Sequence, residues 1–230
     1  MADEHHHHHR SLQGGGARAA VFGISDGLVS NVALILGVAG AHSSATSVRL
    51  AGLAGLVGGA FSMAAGEYVS MRAQSELMQR ELRVERDALH QQPEGERREL
   101  TAIYERRGLE TSLASELAGK MMRDPETALE THAREELGIN PEQLGNPWQA
   151  AGSSFVMFAI GAFLPLVPWL FASGTAAIWA SVMVAGIASV VVGVALSYFT
   201  GKSWIWSACR QLLISGVAAG ITFSIGRIIG

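Results

Sequence analysis

Arg49 to Gln92 read RLAGLAGLVGGAFSMAAGEYVSMRAQSELMQRELRVERDALHQQ. The part up to Met71 is a Gly-rich apolar run, long enough to cross a hydrocarbon layer that needs about 20 such residues. From Arg72 onward charges recur at helical spacing, and no helix breaker marks the junction. The stretch therefore predicts one long helix that leaves a membrane and carries carboxylates into water. Met63 and Glu67 fall in its membrane half, Glu81 and Glu85 in its aqueous half.

Of the 230 residues, 49% are hydrophobic, and they are clustered. Stretches at roughly 18–41, 49–71, 151–171, 175–199 and 205–229 each meet the length for a spanning helix. Between Arg72 and Pro147 lie 11 Lys+Arg and 16 Asp+Glu, a net charge of −5. The mild overall charge of −3 thus conceals an acidic insert. That sign argues against nucleic acid and allows cations as ligands. The fold class expected is all-α: five transmembrane spans, with a cytoplasmic helical bundle inserted between spans two and three. In domains this gives a disordered His-rich tail (1–17), spans one and two (18–71), an acidic helical metal-binding domain (72–148) and spans three to five (149–230).

The tail holds the run His5–His9, either a tag or a native tract that binds metal weakly. The first apolar stretch lacks a cleavage pattern and is expected to be a retained span. The lone Cys209 excludes an internal disulfide and a Cys-based zinc site. Span one carries Asp26, Asn31 and the pair Gly23/Gly27, and span two has glycines at 52, 55, 58, 59 and 66. These small faces predict close packing of spans one and two, with each other or with a second subunit. Spans three to five hold no acidic residue and are expected to form a lipid-facing scaffold. With the insert inside, Arg10, Arg18 and Lys202 are also cytoplasmic, while Arg49 and Arg227 sit at outer span ends where they snorkel. In the insert, Pro93 and Pro125 open helices and Gly108 and Gly138 end them. A stripe of Leu109, Leu113, Leu117 and Met121, with Ile103 and Tyr104, is the expected core.

Asp26 and Glu67 are carboxylates within apolar spans, which cost several kcal/mol unless paired, hydrated or neutralised. Asp26 lies about 12 Å along the helix from Arg18, and Met63 about 13 Å from Arg72, at the α-helical rise. In antiparallel spans the two share a depth, with Glu67 one turn nearer the cytoplasm on the face of Met63. A carboxylate with a thioether suits a borderline divalent transition metal. In the plainer reading Met63 fills core space and Glu67 snorkels. In the insert, Glu81/Glu85, Glu96/Glu99 and His132 with Glu135/Glu136 are spaced to share helix faces. Converging carboxylates would bind a divalent cation; alternatively these are solvated faces paired with neighbouring Arg. There is no Gly-rich phosphate loop, nucleophile elbow or zinc-protease motif, so no enzyme is expected.

The stretches GISDGLVSNVALILGVAGA, AGLAGLVGGAFSMAAGEYVSM, PEGERREL with TAIYERRG, HAREELGI, and NPWQAAGSSF with GAFLPLVPW occur in order over residues 18–171. In these the chain resembles the vacuolar iron transporter family of divalent iron and manganese carriers. The resemblance implies a five-span homodimer whose ion path runs at the dimer interface between the first two spans. It implies Fe2+, with Mn2+ as a further cargo, leaving the cytosol in exchange for protons, and no cofactor beyond the bound metal. By similarity, Asp26 and Met63 fall on the translocation site and Glu67 near its entrance. Glu85, Glu96, Glu99 and Glu136 fall on the carboxylates of the cytoplasmic metal-binding domain. Two departures stand out: Ala88 follows Glu85 where relatives carry another glutamate, and His132-Ala133 stand where some carry a methionine pair. His132 is then a candidate nitrogen ligand. The membrane implied is a bacterial plasma membrane, or a vacuolar one in a eukaryote. The competing expectation is a membrane-anchored metal sensor or buffer without transport.

Overall fold

A computed structural model describes residues 15–141 and 145–230; the histidine run His5–His9 lies outside the described residues. Regular structure among them is helical: α1 (Gly15–Gly40), α2 (Ala45–Gln91), α3 (Pro93–Arg106), α4 (Thr111–Met121), α5 (Pro125–Glu135), α6 (Pro147–Phe171), α7 (Gly174–Thr200) and α8 (Trp204–Ile229). Five of these, α1, α2, α6, α7 and α8, are long and apolar enough to cross a membrane. The chain is a multi-pass membrane protein. It divides into two compact units, Met1–Ser70 with Asn146–Gly230, and Met71–Gly145.

Local chemistry sets the helix ends. Pro93, Pro125 and Pro147 each sit in a first turn, where a missing N–H costs nothing. Asp124 caps α5 by accepting from Thr127 N at 2.8 Å. Asn146 caps α6 by accepting from Trp148 N and Gln149 N at 3.0 and 3.2 Å. Gly201, at φ 65°, closes α7 in the left-handed conformation and donates its N–H to Ser197 O. α2 runs unbroken for 47 residues from Ala45 to Gln91. It begins four residues before the expected start at Arg49, because Ser44 Oγ accepts from Ser47 N at 3.1 Å and opens the helix earlier.

In the membrane unit α1 is central: 44% of its apolar window is buried, against 17% for α2 and for α8. Gly23 and Gly27, expected to pack against α2 or a second subunit, instead face α6. A Cβ on either would collide with backbone of α6 at Ser154 and Phe158, and one on Gly161 would strike Ile24 O and Leu28 N of α1. The α1 and α6 backbones therefore touch. Gly226 of α8 closes in the same way on Gly37 of α1 and on Ala41 just past its end. α2 approaches through side chains: Leu166 and Ile35 fill the space over Gly52, Leu34 and Asn31 that over Gly55, and Phe158 that over Gly59. Gly58 and Gly66 face open space. α6 is accordingly more than scaffold, with Phe158, Leu166 and Trp169 in the core. Side chains of neighbouring helices also serve its carbonyls; Ser181 Oγ donates to Pro165 O at 2.7 Å, and Arg49 Nε to Trp169 O, in the last turn of α6, at 2.5 Å. Leu53, Phe61, Ile187 and Leu213 stand more than half exposed, as befits helices solvated by lipid. Arg210, which the charge reading did not place, is exposed in the second turn of α8.

In the second unit Leu100 and Tyr104 of α3 pack on Ala114 and Ala118 of α4, with Leu109, Leu117 and Met121 at the margin. Leu113 is 55% exposed and outside the core expected of it. Residues strictly four apart rotate about 40° per step around a helix of 3.6 residues per turn. The buried face accordingly falls on the alanines, whose size lets α4 lie close to Tyr104.

Candidate functional sites

The membrane unit contains a cavity of about 310 Å³ between α1 and α2, with Asp26, Asn31, Gly55, Gly59, Met63 and Phe158 among its walls. Asp26 and Met63 thus meet at one cavity, as the matched helix depths require. The small residues of α2 keep it open; a Cβ on Gly59 would run into the Phe158 ring. Glu67 is not part of its wall. It lies 3.9 Å from Arg18, 17% exposed, and its Oε2 is buried without a hydrogen-bond partner. Asn31, only 1% exposed, also lines the cavity and was not among the expected site residues. Its Nδ2 donates to Ala162 O at 2.6 Å, and its Oδ1 has no partner. The available signal was an amide side chain five positions beyond Asp26 in a largely apolar helix.

The second unit gathers Glu85 of α2, Glu96 of α3, and His132 and Glu136 at the end of α5. One ligand atom from each lies within 4.8 Å of all the others. His132 is fully buried, and its Nδ1 is 3.1 Å from Glu85 Oε1, 3.4 Å from Glu136 Oε2 and 3.8 Å from Glu96 Oε2. Only the Glu136 contact meets hydrogen-bond geometry; Glu85 Oε1 is close enough for an ion pair, but it and His132 Nε2 are buried without a hydrogen-bond partner. Three devices assemble the group. Gln92 leaves helical geometry between α2 and α3, at φ −136° and ψ 54°. Pro93 restarts the chain, bringing Glu96 within the first turn of α3. His132 and Glu136 are one turn apart.

The electrostatics are those of crowded anions. Burial raises the pKa of Glu96, and the charge of Glu85 raises it further against the opposing effect of His132. Burial and Glu85 likewise raise Glu136, while the hydrogen bond from His132 lowers it. Burial alone would lower His132, but the close carboxylate of Glu85, the hydrogen bond to Glu136 and the charge of Glu96 outweigh it, leaving the ring above its usual value. A divalent cation would relieve the repulsion, and three carboxylates with one imidazole are a donor set for a divalent transition metal.

The remaining candidates lie outside this group. Glu99 is exposed, near enough for its charge to raise Glu96 and Glu136 but not among the four converging residues. Glu81 pairs with Arg80 at 3.1 Å, and Glu135 pairs with Arg107. These two follow the solvated-face reading.

A family model described as "VIT family" matches residues 17–227. A protein from Acanthamoeba castellanii named vacuolar iron transporter is 35% identical over 217 residues, covering 92% of this chain and 78% of that protein. Vacuolar iron transporter 1 of Arabidopsis thaliana is 29% identical over 213 residues, covering 92% and 85%. A vacuolar iron transporter of Centaurea cyanus is 29% identical over 211 residues, covering 91% and 86%.

Proposed function

The chain belongs to the VIT family, and on that premise we propose that it carries Fe2+, with Mn2+ as a second cargo, out of the cytosol by proton antiport. The observation that carries this reading is the meeting of Asp26 and Met63, from two different apolar helices, at one cavity. A carboxylate inside an apolar span is costly, and a membrane-anchored buffer would have no use for one there. Transport uses it twice. Ionised, it binds a partly dehydrated divalent ion beside the Met63 thioether. Protonated, it is neutral and releases the ion. Metal and proton thus compete for one oxygen, which couples their movements. Glu67, held near Arg18, guides ions towards that station or carries a proton.

The Glu85, Glu96, His132 and Glu136 group collects metal on the cytosolic side, and Glu99 adds negative potential beside it. His132 supplies nitrogen among the oxygen ligands. The positive-inside rule supports a cytoplasmic N-terminus and a cytoplasmic 72–148 segment. The working assembly is a homodimer in a lipid bilayer, with the open Gly58 and Gly66 face of α2 available to a second copy. The membrane is a bacterial plasma membrane, or a vacuolar membrane if the source is eukaryotic. No resident cofactor, enzymatic step or nucleic-acid partner belongs to this reading.

Proteoliposomes carrying a trapped pH dye test it. Adding Fe2+ or Mn2+ on the side of the acidic unit drives metal uptake and counter-movement of protons, while Mg2+ and Ca2+ do not. Metal uptake without a proton signal removes antiport, and no uptake of any cation removes transport.

A further inference from the structure

The unexplained polar atom in the membrane unit is Asn31 Oδ1. The amide orientation is fixed, because Nδ2 donates to Ala162 O at 2.6 Å and the reverse orientation would set two oxygens at that distance. Oδ1 is therefore the end turned towards α2. It is shut off from solvent and has no hydrogen-bond partner. A Cβ at Gly55 would lie 2.7 Å from it, and both residues wall the cavity that holds Asp26 and Met63. A buried carbonyl left unpaired costs about 1–3 kcal/mol. No protein donor serves this one.

We infer that Asn31 Oδ1 is a further ligand for the ion at the Asp26 and Met63 station, and that Gly55 keeps the approach to it clear. This rests on the transport reading for its purpose but not for its geometry. An amide oxygen suits a transported divalent ion in two ways. It is a hard donor of the kind Mn2+ and Fe2+ accept, balancing the soft thioether. It is also neutral, so it adds no charge to that of Asp26 and keeps the ion held loosely enough to leave. A second carboxylate would bind more tightly and release more slowly.

The test substitutes a soft donor for the hard one. Full-length protein is prepared with Cys209, an exposed thiol, changed to Ser, and Asn31→Cys is added. Cd2+ should then produce the ultraviolet thiolate-to-cadmium charge-transfer band, absent from Cys209→Ser alone and abolished when Asp26→Ala is added. In proteoliposomes the same variant should raise Cd2+ flux relative to Mn2+ by about tenfold or more, since losing even a supporting contact of a ligand costs about 10–100-fold. No band, or a band indifferent to Asp26→Ala, overturns the assignment. Should the lost bond to Ala162 prevent folding, Gly55→Ala leaves Asn31 intact and places a methyl group against Oδ1. Its Mn2+ flux should fall by about tenfold or more, and flux equal to wild type overturns the inference. A band of the expected behaviour in a protein that moves no metal would keep the ligand and remove the transport reading.

Discussion

Replacing Glu85 by Gln separates the two forces acting on the acidic group. In the metal-free protein, with His132 protonated, Glu85 is attracted by one neighbour at 3.1 Å and repelled by two carboxylates within 4.8 Å. At an effective dielectric of about 20, the attraction is about 5 kcal/mol and each repulsion at least about 3.5 kcal/mol. Removing the charge therefore gains about 2 kcal/mol, trimmed to about 1–2 by the partial exposure of Glu136. Glu85→Gln should make the metal-free protein more stable. With metal the sign reverses. At a concentration of 100 times the wild-type Kd, binding stabilises by about 2.7 kcal/mol. A variant bound about 100-fold more weakly gains only about 0.4 kcal/mol by the same relation. The assay is helical circular dichroism during thermal melting in detergent, with chelator and then with Mn2+. The variant should melt above wild type in chelator and below it in Mn2+. A variant that melts below wild type in chelator, or that keeps the full Mn2+ shift, refutes this reasoning.

Other expectations follow from the same structure. His132, Glu96 and Glu136 all have raised pKa values, so between the ordinary carboxylate range and just above the usual histidine value the metal-free folded protein holds more protons than the unfolded chain. Its stability should fall as pH rises through that window; urea titrations at about pH 6 and pH 8 check the sign, and higher stability at the upper pH contradicts it. Metal must displace those protons, so Mn2+ affinity should rise over the same window, as pH-dependent calorimetry with proton release measured in two buffers would reveal. Gly161→Ala drives a methyl group into Ile24 O and Leu28 N and should cost about 1–3 kcal/mol or more. Gly216→Ala, with nothing within 4 Å, should be tolerated, and equal melting of the two would contradict backbone contact between α1 and α6.

Helix boundaries were legible where residue chemistry dictates them. Pro93 and Pro125 open helices because proline suits a first turn, and Gly108 and Gly138 lie just past helix ends because glycine accepts a positive φ. The shared depth of Asp26 and Met63 was legible because helical rise is constant, so counting from the charged flanks gives position. Partners were not. Helical period tells which residues share a face but not which helix lies opposite, so Gly23 and Gly27 were expected against α2 or a second subunit although they fit α6. Leu113 failed for a related reason: apolar size marked it as core, while close approach of α3 selects Ala114 and Ala118. Among the acidic residues, spacing paired His132 with Glu136 but did not separate Glu85 from Glu81, since only the turn at Gln92 decides which carboxylate of α2 meets α3. Asn31 went unrecognised because a single amide in a span is ambiguous until its unpaired oxygen is seen.

The central claim is that Asp26 binds the moving ion in exchange for a proton. Its most direct test is Fe2+ uptake with simultaneous proton counter-flow into proteoliposomes, comparing wild type with Asp26→Ala. The variant should elute and melt like wild type, yet lose both metal uptake and the linked pH change. Undiminished uptake by Asp26→Ala would contradict the account.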